Sequence, residues 1–161
     1  AWLVLSVAFS NLYGLGVTTL ILSSLTAGTG FLLHELAHRI VARNYGLEAS
    51  FVADYRWLGL ALFSSFAGFL FAAPGAVVTS GRRSLRQQMM ISVAGPLTNL
   101  MLSVVFMVVP GAIGSFGASI NSWLALFNML PFGGLDGRKV LDANRLVYLT
   151  VLAASALLVI I

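Results

Sequence analysis

The sequence predicts an all-α polytopic membrane protein with about four to five transmembrane helices and one re-entrant or β-hairpin membrane segment. Of its 161 residues, 59% are hydrophobic and only 9% are charged, and the mean hydropathy is +0.97. Soluble domains carry roughly 45–50% apolar and about 25% charged residues. A span needs about 20 apolar residues, so a single domain over residues 1–161 has room for about four or five spans.

The charge distribution supports a membrane topology. Nine Lys and Arg against five Asp and Glu give a formal net charge of +4. The positive charges flank apolar stretches, which is typical of cytoplasmic loops, so we expect no nucleic-acid partner. The chain has no cysteine, which excludes disulfides and thiolate metal ligands. The three basic clusters are Arg39 with Arg43, then Arg82, Arg83 and Arg86, then Arg138, Lys139 and Arg145.

Turn residues divide the apolar stretches into helices. Gly14 and Gly16 separate the tail of a first span from the next helix, and Tyr45-Gly46 ends that second helix. Pro110-Gly111 ends a third helix and is followed by an expected Gly/Ser loop over residues 111–119. A Pro-Phe-Gly-Gly run at 131–134 breaks the fourth helix. The expected helices are residues 1–10, 17–43, 88–109, 120–142 (broken) and 145–161.

Residues 51–81 form the expected re-entrant segment. Basic clusters lie beyond both of its ends, and its apolar part, residues 58–78, is about half as long as two crossings require. Extended pairing is expected around residues 51–57 and 75–79. Non-helical backbone at membrane depth must be buried in protein or line water, since lipid cannot satisfy its polar groups. The alternative is a single plain span through residues 58–78.

The two histidines of the chain, His34 and His38, lie four residues apart, and Glu35 follows the first. On a helix this spacing stacks both imidazoles on one face within reach of one ion, with the glutamate beside any water that the ion holds. Ionisable residues inside a membrane are costly and are usually functional, which favours a metal site over a structural histidine pair. The pattern predicts a zinc hydrolase.

A catalytic zinc normally has three protein ligands and an open position for water, so a third donor is required. Asp136 follows the expected break in the fourth helix, and an unwound membrane helix can direct a ligand at a buried ion. The alternative explanation for Asp136 is a structural one, an Asp-Gly turn at a helix end. Asp142 is explained by an ion pair with Arg145, whereas Glu48 and Asp54 remain as alternative ligands just past the metal-bearing helix.

Three ordered motifs resemble those of the site-2 proteases, the intramembrane zinc metalloproteases. They are Phe31-Leu-Leu-His34-Glu35-Leu-Ala-His38, Ala94-Gly95-Pro96-Leu97-Thr98-Asn99, and Asn128-Met-Leu-Pro131 through Leu135-Asp136-Gly137. A fourth stretch, Phe71-Ala-Ala-Pro74-Gly75-Ala76-Val77, is similar to the archaeal branch of that family. One departure is the Phe-Gly-Gly before Leu-Asp-Gly, where relatives often carry another proline.

The resemblance implies one zinc ion, bound by His34, His38 and Asp136, with Glu35 as the catalytic base. It also implies two asparagines near the site. We expect Asn99 to donate a hydrogen bond to the oxyanion, although an asparagine that only joins two helices is the alternative. The residues expected to meet substrate are Asn128, Pro74 and Gly75.

The expected function is zinc-dependent intramembrane proteolysis of a transmembrane or membrane-anchored regulatory protein, in which a zinc-activated water attacks a peptide bond. His34 precedes Arg39 and Arg43 by about 7 to 14 Å of helix, so we expect a multi-pass protein of the cell membrane whose active site lies nearer the cytoplasmic face. The oligomeric state is left open. A metal-ion transporter or channel using the His/Asp site is the alternative, although Glu35 is required only by a hydrolase.

Overall fold

The computed structural model describes residues 1–69 and 75–161, and within them the chain forms eight α-helices and a two-stranded sheet. The expectation of a mostly helical chain with a small hairpin is confirmed. The N-terminal part contains α1 (Trp2–Leu12), α2 (Val17–Ser23), a π-helical turn (Ser24–Gly28) and α3 (Thr29–Asn44). The hairpin contains β1 (Glu48–Ala53), α4 (Tyr55–Phe66) and β2 (Gly75–Ser80). The C-terminal part contains α5 (Leu85–Met107), α6 (Ala112–Asn128), α7 (Asp136–Ala143) and α8 (Arg145–Ile160).

Two helical segments of the described chain are long and apolar enough to cross a membrane. They are Val17–Asn44, which runs from α2 through α3, and Leu85–Met107, which is α5. Helices α1 and α8 are apolar but shorter, so the count of about four to five spans stays a prediction. Large apolar side chains face outward on the helix surfaces, including Met101 at 70% exposure and Leu146 at 74%. Such exposed apolar surface indicates contact with lipid or another protein.

Helix α5 is the centre of the C-terminal core. Its Ser84 cap forms a capping box with Gln87, in which each side chain accepts a hydrogen bond from the other residue's backbone N–H. This cap starts the helix three residues before the expected position 88. Helices α6, α7 and α8 pack around α5. The buried core residues there are Val93, Leu100, Ala125, Met129, Val140, Tyr148 and Val151.

Residues 112–119 were expected to be a loop, but they form the first two turns of α6. A Cβ at Gly114 would collide with the carbonyl of Val109, and one at Gly117 would collide with the ring of Phe106. The small residues therefore serve close packing of α6 on the end of α5 and do not break the helix. Glycine content alone made this stretch resemble a loop.

The expected strand pairing around residues 51–57 and 75–79 is shifted in the structure. β1 pairs antiparallel with β2, from Glu48 opposite Ser80 to Ala53 opposite Gly75. Residues 55–57 are helical and not extended. The side chain of Asp54 accepts hydrogen bonds from the backbone N–H groups of Arg56 and Trp57, and this N-cap starts α4. Helix α4 packs mainly on α1.

The close contact of α6 with α5 predicts a stability effect. Gly114→Ala should lower the free energy of unfolding by about 1 to 3 kcal/mol, because the new methyl group meets backbone that cannot move aside. Gly59→Ala is the matched control, since Gly59 is also helical and a Cβ there meets nothing within 4 Å. Thermal unfolding in detergent measures both; equal effects from the two substitutions would contradict the packing argument.

Candidate metal centre

His34 and His38 lie one turn apart on α3, and both are almost fully buried. Their Nε2 atoms are 3.0 Å from each other. The Oδ2 atom of Asp136, at the start of α7, is 3.3 Å from Nε2 of His34 and 3.0 Å from Nε2 of His38. Three potential ligand atoms from two distant parts of the chain therefore converge on one point.

The opposite nitrogen of each imidazole is held by an oxygen of α5. Nδ1 of His34 lies 2.6 Å from Oδ1 of Asn99, and Nδ1 of His38 lies 2.6 Å from the carbonyl oxygen of Ile91. Both oxygens can only accept, so each Nδ1 carries the hydrogen. In a neutral imidazole this leaves the lone pair on Nε2, the atom that faces Asp136.

This donor set fits a metal cation. With neutral histidines, two nitrogen lone pairs and a carboxylate oxygen face one another, and a cation between them would satisfy all three. Two histidines and one carboxylate form a ligand set typical of catalytic zinc, which keeps an open position. Hydrogen bonds from the remote imidazole nitrogens to oxygen acceptors are also typical of metal-binding histidines.

Two glycines permit the close approach of the helices at this point. A Cβ at Gly95 of α5 would lie 2.5 Å from Nε2 of both His34 and His38, so the backbone of α5 directly faces the ligand atoms. A Cβ at Gly137 would collide with the backbone of Met129, where α6 ends. Gly137 thus lets α7 begin against the end of α6 and holds Asp136 toward the histidines.

Glu35 and Lys139 complete the charged groups around the centre. A carboxylate oxygen of Glu35 and one ring nitrogen from each histidine lie within 4.8 Å of one another. The Oε2 atom of Glu35 is buried without a hydrogen-bond partner among the described residues. Nζ of Lys139 lies 3.4 Å from Oδ1 of Asp136, the oxygen that does not face the histidines.

The centre opens into a cavity of about 830 Å³ between α3, the hairpin and the break between α6 and α7. The histidines, Glu35 and Asp136 line it, as does Asn128, whose amide donates to the carbonyl of Leu124 on its own helix. Most of the remaining wall is apolar. Its apolar members include Phe31, Trp57, Val77, Leu124, Phe127 and Phe132. This volume lies within the range of about 300 to 1,000 Å³ that is typical of ligand-binding cavities.

The other predicted site residues lie as follows. Both amide hydrogens of Asn99 are donated, one to the carbonyl of Gly30 at 3.2 Å and one to Oδ1 of Asn121 at 2.9 Å. Neither is free for an oxyanion, which differs from the expected role of this residue. Gly75 begins β2 beside the cavity-lining Val77, and Pro74 lies outside the described residues.

Within the described chain, neither alternative acidic ligand forms an ion pair with a histidine. Glu48 is exposed at the start of β1, and Asp54 caps α4. Asp142 pairs with Arg138 at 3.0 Å and not with the expected Arg145, because positions four apart share one face of α7. Asp136 is thus the carboxylate, besides Glu35, that the described chain brings to the histidines.

Sequence reasoning overlooked Asn121 and the carbonyl of Ile91. Asn121 is fully buried and lies 22 positions from its partner Asn99. A signal was available, since an amide inside an apolar helix is costly and needs a partner. No sequence signal could have found the carbonyl of Ile91, because every residue carries one.

Comparison with known proteins identifies the family. Residues 23–115 match the family described as Peptidase family M50. "Putative zinc metalloprotease MJ0611" of Methanocaldococcus jannaschii is 40% identical over 157 residues, which cover 90% of this chain and 82% of that protein. "Putative zinc metalloprotease Rip3" of Mycobacterium tuberculosis is 33% identical over 144 residues, which cover 82% of this chain but 31% of that protein. No solved structure is significantly similar to this chain.

The family match covers the histidine motif on α3 and the Ala-Gly-Pro motif on α5, and the archaeal relative is similar over most of its own length. Both are motifs that resemble those of site-2 proteases. The chain therefore belongs to peptidase family M50, the site-2 protease family.

Proposed function

We propose that this protein is a zinc metalloendopeptidase that cleaves a transmembrane or membrane-anchored protein within the membrane. The observation that carries the proposal is the convergence of two Nε2 atoms and one carboxylate oxygen within 3.3 Å, beside a glutamate, in a cavity lined mainly by apolar residues. Membership of family M50 and the names of the two relatives support the choice of zinc and of proteolysis.

His34, His38 and Asp136 would hold the zinc, one ion per chain. When bound, zinc supplies Lewis acidity, which lowers the pKa of water and polarises a peptide carbonyl. Glu35 takes the proton from the attacking water and later delivers a proton to the amine of the broken C–N bond. Its position supports this role, since a carboxylate oxygen of Glu35 lies within 4.8 Å of a ring nitrogen of each histidine.

Two asparagines have proposed roles outside proton transfer. Asn99 orients His34, because its Oδ1 accepts the Nδ1–H and both of its own amide hydrogens are used elsewhere. Asn128 lines the cavity at the end of α6, so we assign it to substrate contact. Its amide now bonds the carbonyl of Leu124, and a substrate carbonyl would compete for that donor.

The proposed substrate is a membrane-embedded helix that unwinds locally to reach the metal centre. A helical backbone keeps its carbonyls hydrogen-bonded and shielded, so cleavage requires an extended stretch. Two candidate spans and membership of M50 support a multi-pass membrane location. The arginines late in α3, Arg39 and Arg43, follow the histidines within about 14 Å of helix and support an active site nearer the cytoplasmic face.

The hairpin is the proposed substrate guide. Residues Val52 and Ala53 of β1 and Val77 and Val78 of β2 line the cavity that contains the metal centre. In the described chain the sheet has two strands, so each strand has an outer edge that an extended peptide could pair with. Gly75 begins the strand nearest residues 70–74, and we propose that substrate approaches past Pro74 and Gly75.

The Glu35→Gln variant should retain zinc, and its rate of proteolysis should be lower by about 10²-fold or more, because the glutamate transfers protons and does not hold the ion. Zinc content and cleavage of a membrane-embedded peptide, both measured on the purified full chain in detergent, test this. Substantial cleavage by the variant would remove Glu35 from the role of base.

Asp136→Asn should weaken zinc binding by about 10-fold or more, since two histidines alone rarely hold catalytic zinc. Asp142→Asn is the matched control: the same change on the same helix, at an exposed residue whose partner is Arg138. Metal competition with a chelator measures both variants. Equal zinc affinity in the Asp136 variant and the wild type would exclude this carboxylate as a ligand.

A photocrosslinker at Val78 should capture a transmembrane peptide in the Glu35→Gln background, which leaves substrate uncut. The matched control position is the exposed Ser115, on the first turn of α6. Replacing the helix-breaking residues of the peptide with leucine should preserve the crosslink and abolish cleavage by the wild type, because unwinding becomes more costly. Crosslinks at Ser115 without crosslinks at Val78 would contradict the role of the hairpin.

Single cysteines report the topology, because the native chain has none. Ser80 and Ala112 are exposed and lie just outside the two ends of α5. Ser80→Cys should be labelled by a membrane-impermeant reagent from the cytoplasmic side, and Ala112→Cys from the opposite side. Labelling of both from one side would show that α5 does not cross the membrane.

A further inference from the structure

Asn121 of α6 is fully buried and does not line the cavity, yet it joins the helices that carry the metal centre. Its Nδ2 donates to the carbonyl of Gly117 at 2.9 Å, and its Oδ1 accepts from Nδ2 of Asn99 at 2.9 Å. Gly30 of α3 packs directly against this amide, because a Cβ at Gly30 would collide with Oδ1 of Asn121. The residue therefore touches both α5 and α3 at the level of His34.

The donor and acceptor of each hydrogen bond in this series follow from the carbonyl of Gly117, which can only accept. The oxygen of Gly117 can only accept, so Nδ2 of Asn121 must face it and Oδ1 of Asn121 must face Asn99. Oδ1 of Asn121 and the carbonyl oxygen of Gly30 are both acceptors, so the donor group of Asn99, its Nδ2, must face them. Oδ1 of Asn99 is then left to accept from Nδ1 of His34.

The reversed Asn99 amide is excluded by the same groups. If Asn99 were turned over, its Oδ1 would face two acceptor oxygens, those of Gly30 and Asn121, and its amide hydrogens would face Nδ1 of His34. His34 would then present its lone pair at Nδ1 and its hydrogen at Nε2, the atom next to Asp136. A hydrogen on Nε2 occupies the position through which this histidine would bind zinc.

We propose that Asn121 is a positioning residue of the metal centre, which together with the carbonyl of Gly30 fixes the direction of the Asn99 amide and thereby keeps the Nε2 lone pair of His34 free for zinc. The inference rests on the proposed function only in that it requires the centre to bind zinc. Outer hydrogen-bond partners of metal-binding histidines usually contribute 10- to 100-fold in metal affinity.

The test compares Asn121→Leu in two backgrounds. In the wild-type background, the substitution removes the shorter of the two hydrogen bonds that direct Asn99 and leaves the 3.2 Å bond to the carbonyl of Gly30, so zinc affinity should fall by about 10-fold. In an Asn99→Ala background, the amide through which Asn121 acts on His34 is already absent. There Asn121→Leu should change zinc affinity by less than about 2-fold, because Asn121 has no contact with His34 except through Asn99.

Zinc affinity is measured on the full chain in detergent by competition with a chromophoric chelator, and thermal unfolding of the metal-free protein is recorded for each variant. Ser122→Ala is the control, because Ser122 is a buried neighbour in α6 whose hydroxyl donates to the carbonyl of Ser119 and has no route to the site. Its zinc affinity should equal that of the wild type. Asn121→Ala serves as a second variant if the leucine variant does not fold.

The outcomes separate the two proposals. A wild-type chain that binds no zinc would contradict the proposed function. A wild-type chain that binds zinc, with unchanged affinity in the Asn121 variants, would overturn the positioning role. An equal loss in both backgrounds would also overturn it and would show a general structural effect. Unfolding of both Asn121 variants without metal would assign the residue to the fold alone and reject the proposal.

Discussion

Both histidines of the centre donate their Nδ1 hydrogen to an oxygen of α5, at 2.6 Å each. The rest of the architecture follows from this constraint. The histidines can reach Asn99 and the carbonyl of Ile91 only if α3 and α5 approach closely, which Gly95 permits. With both Nδ1 atoms committed, the Nε2 lone pairs face one point, where the break between α6 and α7 brings Asp136.

Because the interior around the metal centre is mainly apolar, each buried polar group there needs a hydrogen-bond partner. A buried donor or acceptor without a partner costs about 1 to 3 kcal/mol, so the amides of Asn99 and Asn121 hold a single hydrogen-bonding arrangement from α6 to the histidine. Among the polar groups that surround the metal centre, Oε2 of Glu35 is the exception, because it has no hydrogen-bond partner among the described residues. A carboxylate kept free beside converging ligand atoms suits proton transfer during peptide hydrolysis. His34, which is held by hydrogen bonds, and Glu35, which keeps a free carboxylate oxygen, are therefore consecutive residues of α3.

Local patterns made much of the site predictable. His34, Glu35 and His38 follow from helix periodicity, and the proline and glycines before Asp136 indicate the unwound segment that brings it to them. The orientation of Asn99 was not predictable, because it depends on Asn121 and Gly30 through contacts between distant helices. The N-terminal turns of α6 were mistaken for a loop, since glycine serves close packing as well as turns. Strand pairing shifted because the Asp54 cap starts a helix where extended backbone was expected.

X-ray absorption spectroscopy at the zinc edge of the purified wild-type chain tests the central claim most directly, because it reports the number and type of atoms bound to the ion. We expect one zinc per chain, with two imidazole nitrogens at about 2.0 to 2.1 Å and oxygen ligands at about 2.0 to 2.2 Å. Loss of one oxygen ligand in the Asp136→Asn variant would complete the assignment. A chain without zinc, or an ion with fewer than two imidazole ligands, would contradict it.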